Sequence, residues 1–150
     1  MTDEPIVSFT GYYAYLSNFS QAPVELDGLI YPTVEHAYQA AKTPSVILRK
    51  AIRAAPTPAA AKRTGRSLPL RPDWDQVRIP IMDQLLRQKF APCQNAAGLL
   101  LATGNRELVE GNTWGDRFWG VCSGVGENNL GKLLMAIRSD LRGLAPPGGA

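Results

Sequence analysis

The chain has 150 residues, of which 45% are hydrophobic, and its formal net charge is +3, from 16 Lys and Arg against 13 Asp and Glu. This length fits one compact domain that buries about two-thirds of its unfolded surface. The scattered basic residues permit a phosphate-bearing partner but do not predict a nucleic-acid-binding surface. Because no signal peptide or membrane-spanning stretch is evident, we expect a cytoplasmic protein without a membrane partner.

The cysteine and histidine content argues against a metal site. Cys93 and Cys122 lie far apart, and neither has the close companion typical of a metal or redox pair. His36 is the single histidine of the chain, which disfavours a zinc site and the serine and cysteine triads. We therefore expect reduced thiols, no bound metal and no cofactor.

The first thirty residues predict a small β-hairpin. Short β-prone runs flank Asp27-Gly28, and this dipeptide is a strong signal for a two-residue hairpin turn. From Thr33 onward the apolar spacing becomes helical, and prolines separate the pattern into short helices. The sequence thus predicts a hairpin followed by a mainly helical region.

The helices after residue 70 have recognisable ends. The stretch 71–90 predicts a helix that begins at Asp73 as its cap, with Pro80 expected to kink or divide it. Two later helices are predicted, one stopping near Gly104 and one over about residues 129–141. Without a repeat or a long linker, we expect a single domain with a core at about residues 6–142 and a flexible tail at 143–150.

The stretch "TVEHAYQAAK" predicts a helix with two stripes, with Thr33 as its cap. One stripe is apolar and should face the core. Glu35, Gln39 and Lys42 form the second stripe, which borders the first on one side. On spacing alone a solvated polar face is the favoured interpretation, and His36 is expected to be a packed or surface histidine. The apolar stripe consists of Val34, Ala37, Tyr38 and Ala41.

Eight motifs are distributed along nearly the whole chain. They are, in order, YLSNF, PTVEHAYQAAK, GR at 65–66, RPDW, KF at 89–90, TGNRELVE, DRFWG and GENNLGKLLMAIR. Together these motifs resemble the NADAR family, also called YbiA-like. The resemblance implies an α+β, mainly helical single domain with a small N-terminal hairpin, acting as an N-glycosidase. Members of this family hydrolyse the bond between a ribose carbon and a nitrogen, either in ribosylamino-pyrimidine intermediates of riboflavin synthesis or in ADP-ribose attached to guanine.

With this activity in view, three residues are candidates for catalysis. Cleavage of an N-glycosidic bond requires a carboxylate that stabilises positive charge at the anomeric carbon and helps to deliver a nucleophile. Glu35 and Asp116 are the candidate carboxylates. Lys42 could instead attack a ring-opened sugar as an amine and form a Schiff base, if burial or neighbouring cations lower its pKa.

Other residues are candidates for substrate binding. Asn18 and Gln39 could hold ribose hydroxyls or the base edge, and Phe19 and Trp119 could stack on the base, although core packing is an equally simple role for the aromatic rings. The glycine- and asparagine-rich entry to the last helix could bind a phosphate, or its asparagines could only cap the helix. The candidate phosphate ligands are Asn128 and Lys132 there, and Lys62 and Arg66 in the segment 60–66.

Three functions are open at this point. The first is an N-glycosidase for phosphoribosylated, pyrimidine-type small molecules. The second is an ADP-ribosyl-guanine hydrolase, for which nucleic acid would be a partner only as a modified substrate. The third is a module that binds an ADP-ribose-type ligand without turnover. The presence of Glu35, Lys42 and Asp116 at motif positions ranks the binding module last.

Overall fold

The computed structural model describes residues 3–144, which form two compact units. One unit contains residues 18–89, and the other contains residues 3–17 together with 90–144. Most of the ordered structure is helical, with short strands, so the predicted fold class, a mainly helical α+β fold with a small N-terminal hairpin, is confirmed. No helix among residues 3–144 is long and apolar enough to cross a membrane.

The 18–89 unit begins with the predicted hairpin. Strands β1 (Val24–Leu26) and β2 (Leu29–Tyr31) pair antiparallel, with Val24 opposite Tyr31. Asp27 and Gly28 both have positive φ, at 50° and 88°, as a type I′ turn requires. The Asp-Gly dipeptide therefore sets the register of the hairpin, as the sequence predicts.

Four helices complete this unit. They are α1 (Val34–Ala41), α2 (Val46–Arg53), α3 (Pro58–Arg66) and α4 (Trp74–Lys89). The hydroxyls of Thr33, Ser45 and Thr57 accept hydrogen bonds from the backbone N–H three residues ahead and so cap α1, α2 and α3. The predicted Thr33 cap is confirmed.

Two expectations concern helix α4. Pro80 does not divide the helix, which is continuous from Trp74 to Lys89. Burial of Trp74 before the proline and of Leu85 after it anchors both halves, and this packing outweighs the loss of one backbone hydrogen bond. Asp73 occupies the predicted cap position, where its carbonyl oxygen accepts from the N–H of Val77, and its carboxylate binds the guanidinium of Arg71.

The other unit contains a 3-10 helix (Gly11–Leu16), helices α5 (Asn95–Ala102) and α6 (Asn129–Gly143), and the short parallel strands β3 (Gly111–Asn112) and β4 (Val121–Cys122). Helix α5 ends just before Gly104, whose φ of 65° provides the predicted stop. Helix α6 runs two residues past its predicted end, and both cysteines are free. The predicted tail lies outside the described residues from position 145 onward.

Candidate active site

Helix α1 is buried along its whole length, which makes the solvated-face interpretation wrong. Glu35 is 7% exposed and Gln39 is 3% exposed, as deeply placed as the apolar residues beside them. Helices α2, α3 and α4 all pack against α1, so it has no face left for solvent. Burying a carboxylate and an amide costs free energy unless both groups have specific hydrogen-bond partners. This burial is the first structural sign of a functional site.

Glu35 obtains those partners from its own helix and from the segment before the hairpin. Gln39 Nε2 donates a hydrogen bond to Glu35 Oε1 at 3.1 Å, across one helical turn. The backbone N–H of Glu35 donates to the carbonyl oxygen of Asn18 at 3.2 Å. Glu35 also lies in the first turn of α1, where the helix dipole favours a negative charge. The Gln39 hydrogen bond and the start of α1 therefore hold the Glu35 side chain in place inside the unit.

Two acceptor oxygens beside Glu35 are buried and have no hydrogen-bond partner among the described residues. They are Asn18 Oδ1 and Gln39 Oε1. Asn18 is held by its Nδ2 group, which lies 3.5 Å from Met82 Sδ. Buried polar atoms are normally satisfied, so unpartnered acceptors beside a buried carboxylate are typical of a ligand-binding site.

Lys42 follows the last residue of α1 and is half-buried. Its Nζ lies 5.8 Å from the centroid of the Tyr38 ring. Burial is the main cause that lowers the pKa of Lys42; the carboxylate of Glu35 raises this pKa, and the cations of Lys62 and Arg66 lower it further. Burial and the two cations thus outweigh the carboxylate, and the pKa of Lys42 lies below the usual lysine value.

Helix α3 contributes the two cations that act on Lys42. Lys62 Nζ lies 6.0 Å from the centroid of the Phe19 ring, and Phe19 is 42% exposed. Arg66, the last residue of α3, is exposed. The 18–89 unit therefore contains seven of the predicted site residues: Asn18, Phe19, Glu35, Gln39, Lys42, Lys62 and Arg66.

His36 was expected to be either a packed or a surface histidine, and it is packed. It is 2% exposed, and its Nδ1 lies 2.8 Å from the hydroxyl of Thr33. Its Nε2 lies 3.0 Å from the carbonyl oxygen of Ala55. Both ring nitrogens are thus used inside the protein. Within residues 3–144, no group of three or more His, Cys, Asp and Glu side chains is arranged to hold a metal ion.

Asp116 and Trp119 belong to the other unit, where Asp116 organises a tight turn. Its Oδ1 accepts hydrogen bonds from the backbone N–H groups of Phe118 and Trp119, at 3.1 and 2.9 Å. Asn112 in turn bonds both backbone groups of Asp116. Trp119 is 9% exposed, and its ring meets that of Phe118 edge to face at 4.8 Å. That Asp116 and Trp119 share a pocket with Glu35 stays a prediction.

Asn128 has a structural role at the start of α6. It adopts the left-handed conformation, with a φ of 56°. Its Nδ2 donates to the carbonyl oxygen of Leu108 at 2.9 Å, and its Oδ1 accepts from the N–H of Glu110 at 3.0 Å. The amide therefore joins α6 to the segment before β3. Lys132, in the first turn of α6, is exposed.

The family model described as the NADAR domain matches residues 5–142 of this chain. The chain belongs to the NADAR family. It is 42% identical over 132 residues to N-glycosidase YbiA of Escherichia coli (strain K12), covering 86% of this chain and 82% of that protein. It is 38% identical over 138 residues to an N-glycosidase of Nostoc punctiforme, covering 88% of each chain.

A solved structure and a plant relative extend the comparison. The NMR structure of E. coli YbiA superposes with a TM-score of 0.82 at 39% identity and covers 95% of this chain and 87% of that chain. The protein named "Riboflavin biosynthesis protein PYRR, chloroplastic" of Zea mays is 34% identical over 152 residues, which cover 89% of this chain and 24% of the maize protein. The resemblance to the NADAR family is thus confirmed in both sequence and fold.

Sequence reasoning missed two residues near the candidate site. Gly65 lies in α3 against the Gln39 side chain, and a Cβ atom there would overlap the amide. Lys89, the last residue of α4, is 4% exposed and donates to the hydroxyl of Ser20 at 2.6 Å, one residue after Phe19. Burial lowers the pKa of Lys89 to about 7. The GR and KF motifs contained both residues, but their spacing gave no chemical reason to select them.

Proposed function

We propose that this NADAR protein is an N-glycosidase that hydrolyses the ribose–nitrogen bond of phosphoribosylated base compounds, such as intermediates of riboflavin biosynthesis. The enzyme class predicted from the sequence, a hydrolase acting on N-glycosyl compounds, is confirmed by relatives named as N-glycosidases. The maize relative, named for riboflavin biosynthesis, supports the substrate class. The proposed cytoplasmic location follows from the sequence alone.

One observation carries the proposal: the buried carboxylate of Glu35 is held by the side-chain amide of Gln39. A carboxylate that is kept in one orientation, away from bulk water, is suited to stabilise positive charge that develops close to it. The unpartnered oxygen of Asn18 is an acceptor suited to a ribose hydroxyl or to an amino group of a base. Both features favour a sugar–base substrate.

The proposed reaction breaks the bond between the anomeric carbon and the base nitrogen, and the bonding electron pair leaves with the nitrogen. The carbon then resembles an oxocarbenium ion, which the charge of Glu35 stabilises. A water oxygen bonds to this carbon while Glu35 accepts a proton from the water. Glu35 then passes that proton to the departing nitrogen, so the protein neither gains nor loses a proton in the reaction.

The cations around the site support a negatively charged substrate. The positive charges of Lys62 and Arg66 act on Lys42 and lower its pKa. A phosphate on the ribose would relieve this repulsion and would raise the pKa of Lys42 again. Lysine and arginine side chains are common phosphate ligands. We therefore propose that the substrate phosphate binds at the α3 side of the site.

The test is product analysis with two substrate types. A ribosylamino-pyrimidine phosphate is incubated with the protein in parallel with ADP-ribosylated guanosine, and released sugar and base are quantified. The proposal expects ribose phosphate and free pyrimidine from the first substrate. Release of ADP-ribose alone would assign the protein to guanine de-ADP-ribosylation. Binding of ADP-ribose without any release would assign it to the class of binding modules.

A further inference from the structure

The segment "RPDW", residues 71–74, contacts the carboxyl end of α1, where Lys42 lies. The backbone N–H of Arg71 donates to the carbonyl oxygen of Lys42 at 3.0 Å. The Arg71 Nη1 group lies 3.5 Å from the carbonyl oxygen of Ala41. The last carbonyls of a helix have no partner within the helix, so these contacts fix the backbone at its end. Arg71 thereby determines where the Lys42 backbone lies.

Arg71 is itself held in one orientation by Asp73. Arg71 Nε donates to Asp73 Oδ1 at 2.6 Å, and Nη2 donates to Oδ2 at 3.0 Å. This bidentate pair is planar and directional, unlike a single contact with an ammonium group. The Asp73 carboxylate thus orients the guanidinium while the third nitrogen of that group faces α1.

The same segment also supports the Lys42 side chain through two aromatic rings. Trp74 is 4% exposed, and its ring centroid lies 5.2 Å from that of Tyr38, at an angle of 50° between the planes. Tyr38 is 6% exposed, and the Lys42 amine lies 5.8 Å from its ring centroid. The indole therefore fixes the phenol ring, and the phenol ring forms the surface on which the lysine lies.

We propose that Arg71 and Trp74 are positioning residues for Lys42: Arg71 fixes its backbone, and Trp74 fixes the Tyr38 ring on which its amine rests. The inference rests on the proposed function, in which Lys42 takes part at the site. In this role the "RPDW" motif holds the half-buried amine of Lys42 near the charged groups of Glu35, Lys62 and Arg66. This support keeps the Lys42 amine half-buried, and the burial lowers its pKa.

The test measures Lys42 directly and needs no substrate. Lysines are reductively methylated with ¹³C-formaldehyde, the Lys42 signal is assigned by its loss in Lys42→Arg, and its titration is followed by NMR. In Trp74→Leu the amine gains water, so its pKa should rise toward the ordinary lysine value. In Trp74→Phe an aromatic ring remains, and the titration should stay close to that of the wild type.

Kinetics provide the second readout. Arg71→Gln keeps the backbone N–H but removes the guanidinium contact with the Ala41 carbonyl oxygen, so the displaced Lys42 amine should lower kcat by about tenfold. The matched control is Arg87→Gln, which removes a surface arginine of α4 that pairs with Asp83. This control should keep the wild-type kcat.

The outcomes separate the inference from the proposed function. An unchanged Lys42 titration in folded Trp74→Leu, together with wild-type kcat in Arg71→Gln, would overturn the inference. If Trp74→Leu does not fold, the kcat of Arg71→Gln decides alone, since this side chain is partly exposed. A shifted Lys42 titration in a protein that releases no base would retain the positioning role and refute the N-glycosidase function.

Discussion

Gln39 donates a side-chain hydrogen bond to the Glu35 carboxylate at 3.1 Å, while the oxygen of the same amide faces Gly65 of α3. The amide orientation is therefore determined from two sides. A carboxylate favours the NH2 group as its neighbour, and the glycine leaves space for the oxygen. The identity of Gly65 is in this way linked to the geometry of the candidate catalytic carboxylate.

Gly65→Ala should destabilise the protein by about 1–3 kcal/mol, because the added methyl group overlaps the Gln39 side chain. Gly98→Ala is the matched control: Gly98 is also helical, and nothing lies within 4 Å of an added Cβ there. This control should be stabilising by about 0.5–1 kcal/mol through helix propensity. Urea unfolding of both variants measures the difference, and equal effects at the two glycines would contradict the packing described for α1 and α3.

The features that were predictable from the sequence depend on residues close together in the chain. Asp27-Gly28 specified a turn with positive φ, and Thr33 capped α1 through its own hydroxyl. The full burial of α1 was not predictable from its stripes, because it depends on α2, α3 and α4 packing around it. The continuity of α4 at Pro80 was likewise not predictable, because it depends on long-range packing, whereas the local effect of a proline is to kink or divide a helix. Glu35 became a site candidate from the sequence only through the family resemblance.

Lys89 should make folding stability depend on pH in the alkaline range. Burial lowers its pKa to about 7 in the folded protein, from about 10.5 for an ordinary lysine. Between these two values the unfolded chain binds more protons than the folded protein, so the free energy of unfolding should rise with pH. Below about pH 7 both states are protonated, and the full cost of burying the charge is present.

The comparison is with Lys89→Met, which keeps the length of the side chain and removes the titrating group. The wild type should gain stability relative to this variant, by up to a few kcal/mol, as the pH rises from about 7 toward 10.5. Urea unfolding at several pH values provides the free energies. A stability difference that is constant over this range would show that Lys89 titrates normally in the folded protein.

Lys42→Arg distinguishes an amine that attacks from one that only binds or orients. If the amine is the nucleophile, arginine should be inactive, because its guanidinium stays protonated, and borohydride added during turnover should trap a sugar adduct on Lys42. If Lys42 holds the phosphate or orients Glu35, arginine should retain partial activity and no adduct should form. The proposed attack by water expects the second result, and peptide mass mapping of the reduced protein measures it.

The central claim concerns the charge of Glu35, and the direct measurement is base release by Glu35→Gln under single-turnover conditions. The amide keeps the shape of the side chain and removes the charge, so the variant should fold normally and lose about a hundredfold or more in rate. Glu107→Gln, at an exposed glutamate, should keep the wild-type rate. Wild-type base release by a stably folded Glu35→Gln protein would contradict the claim.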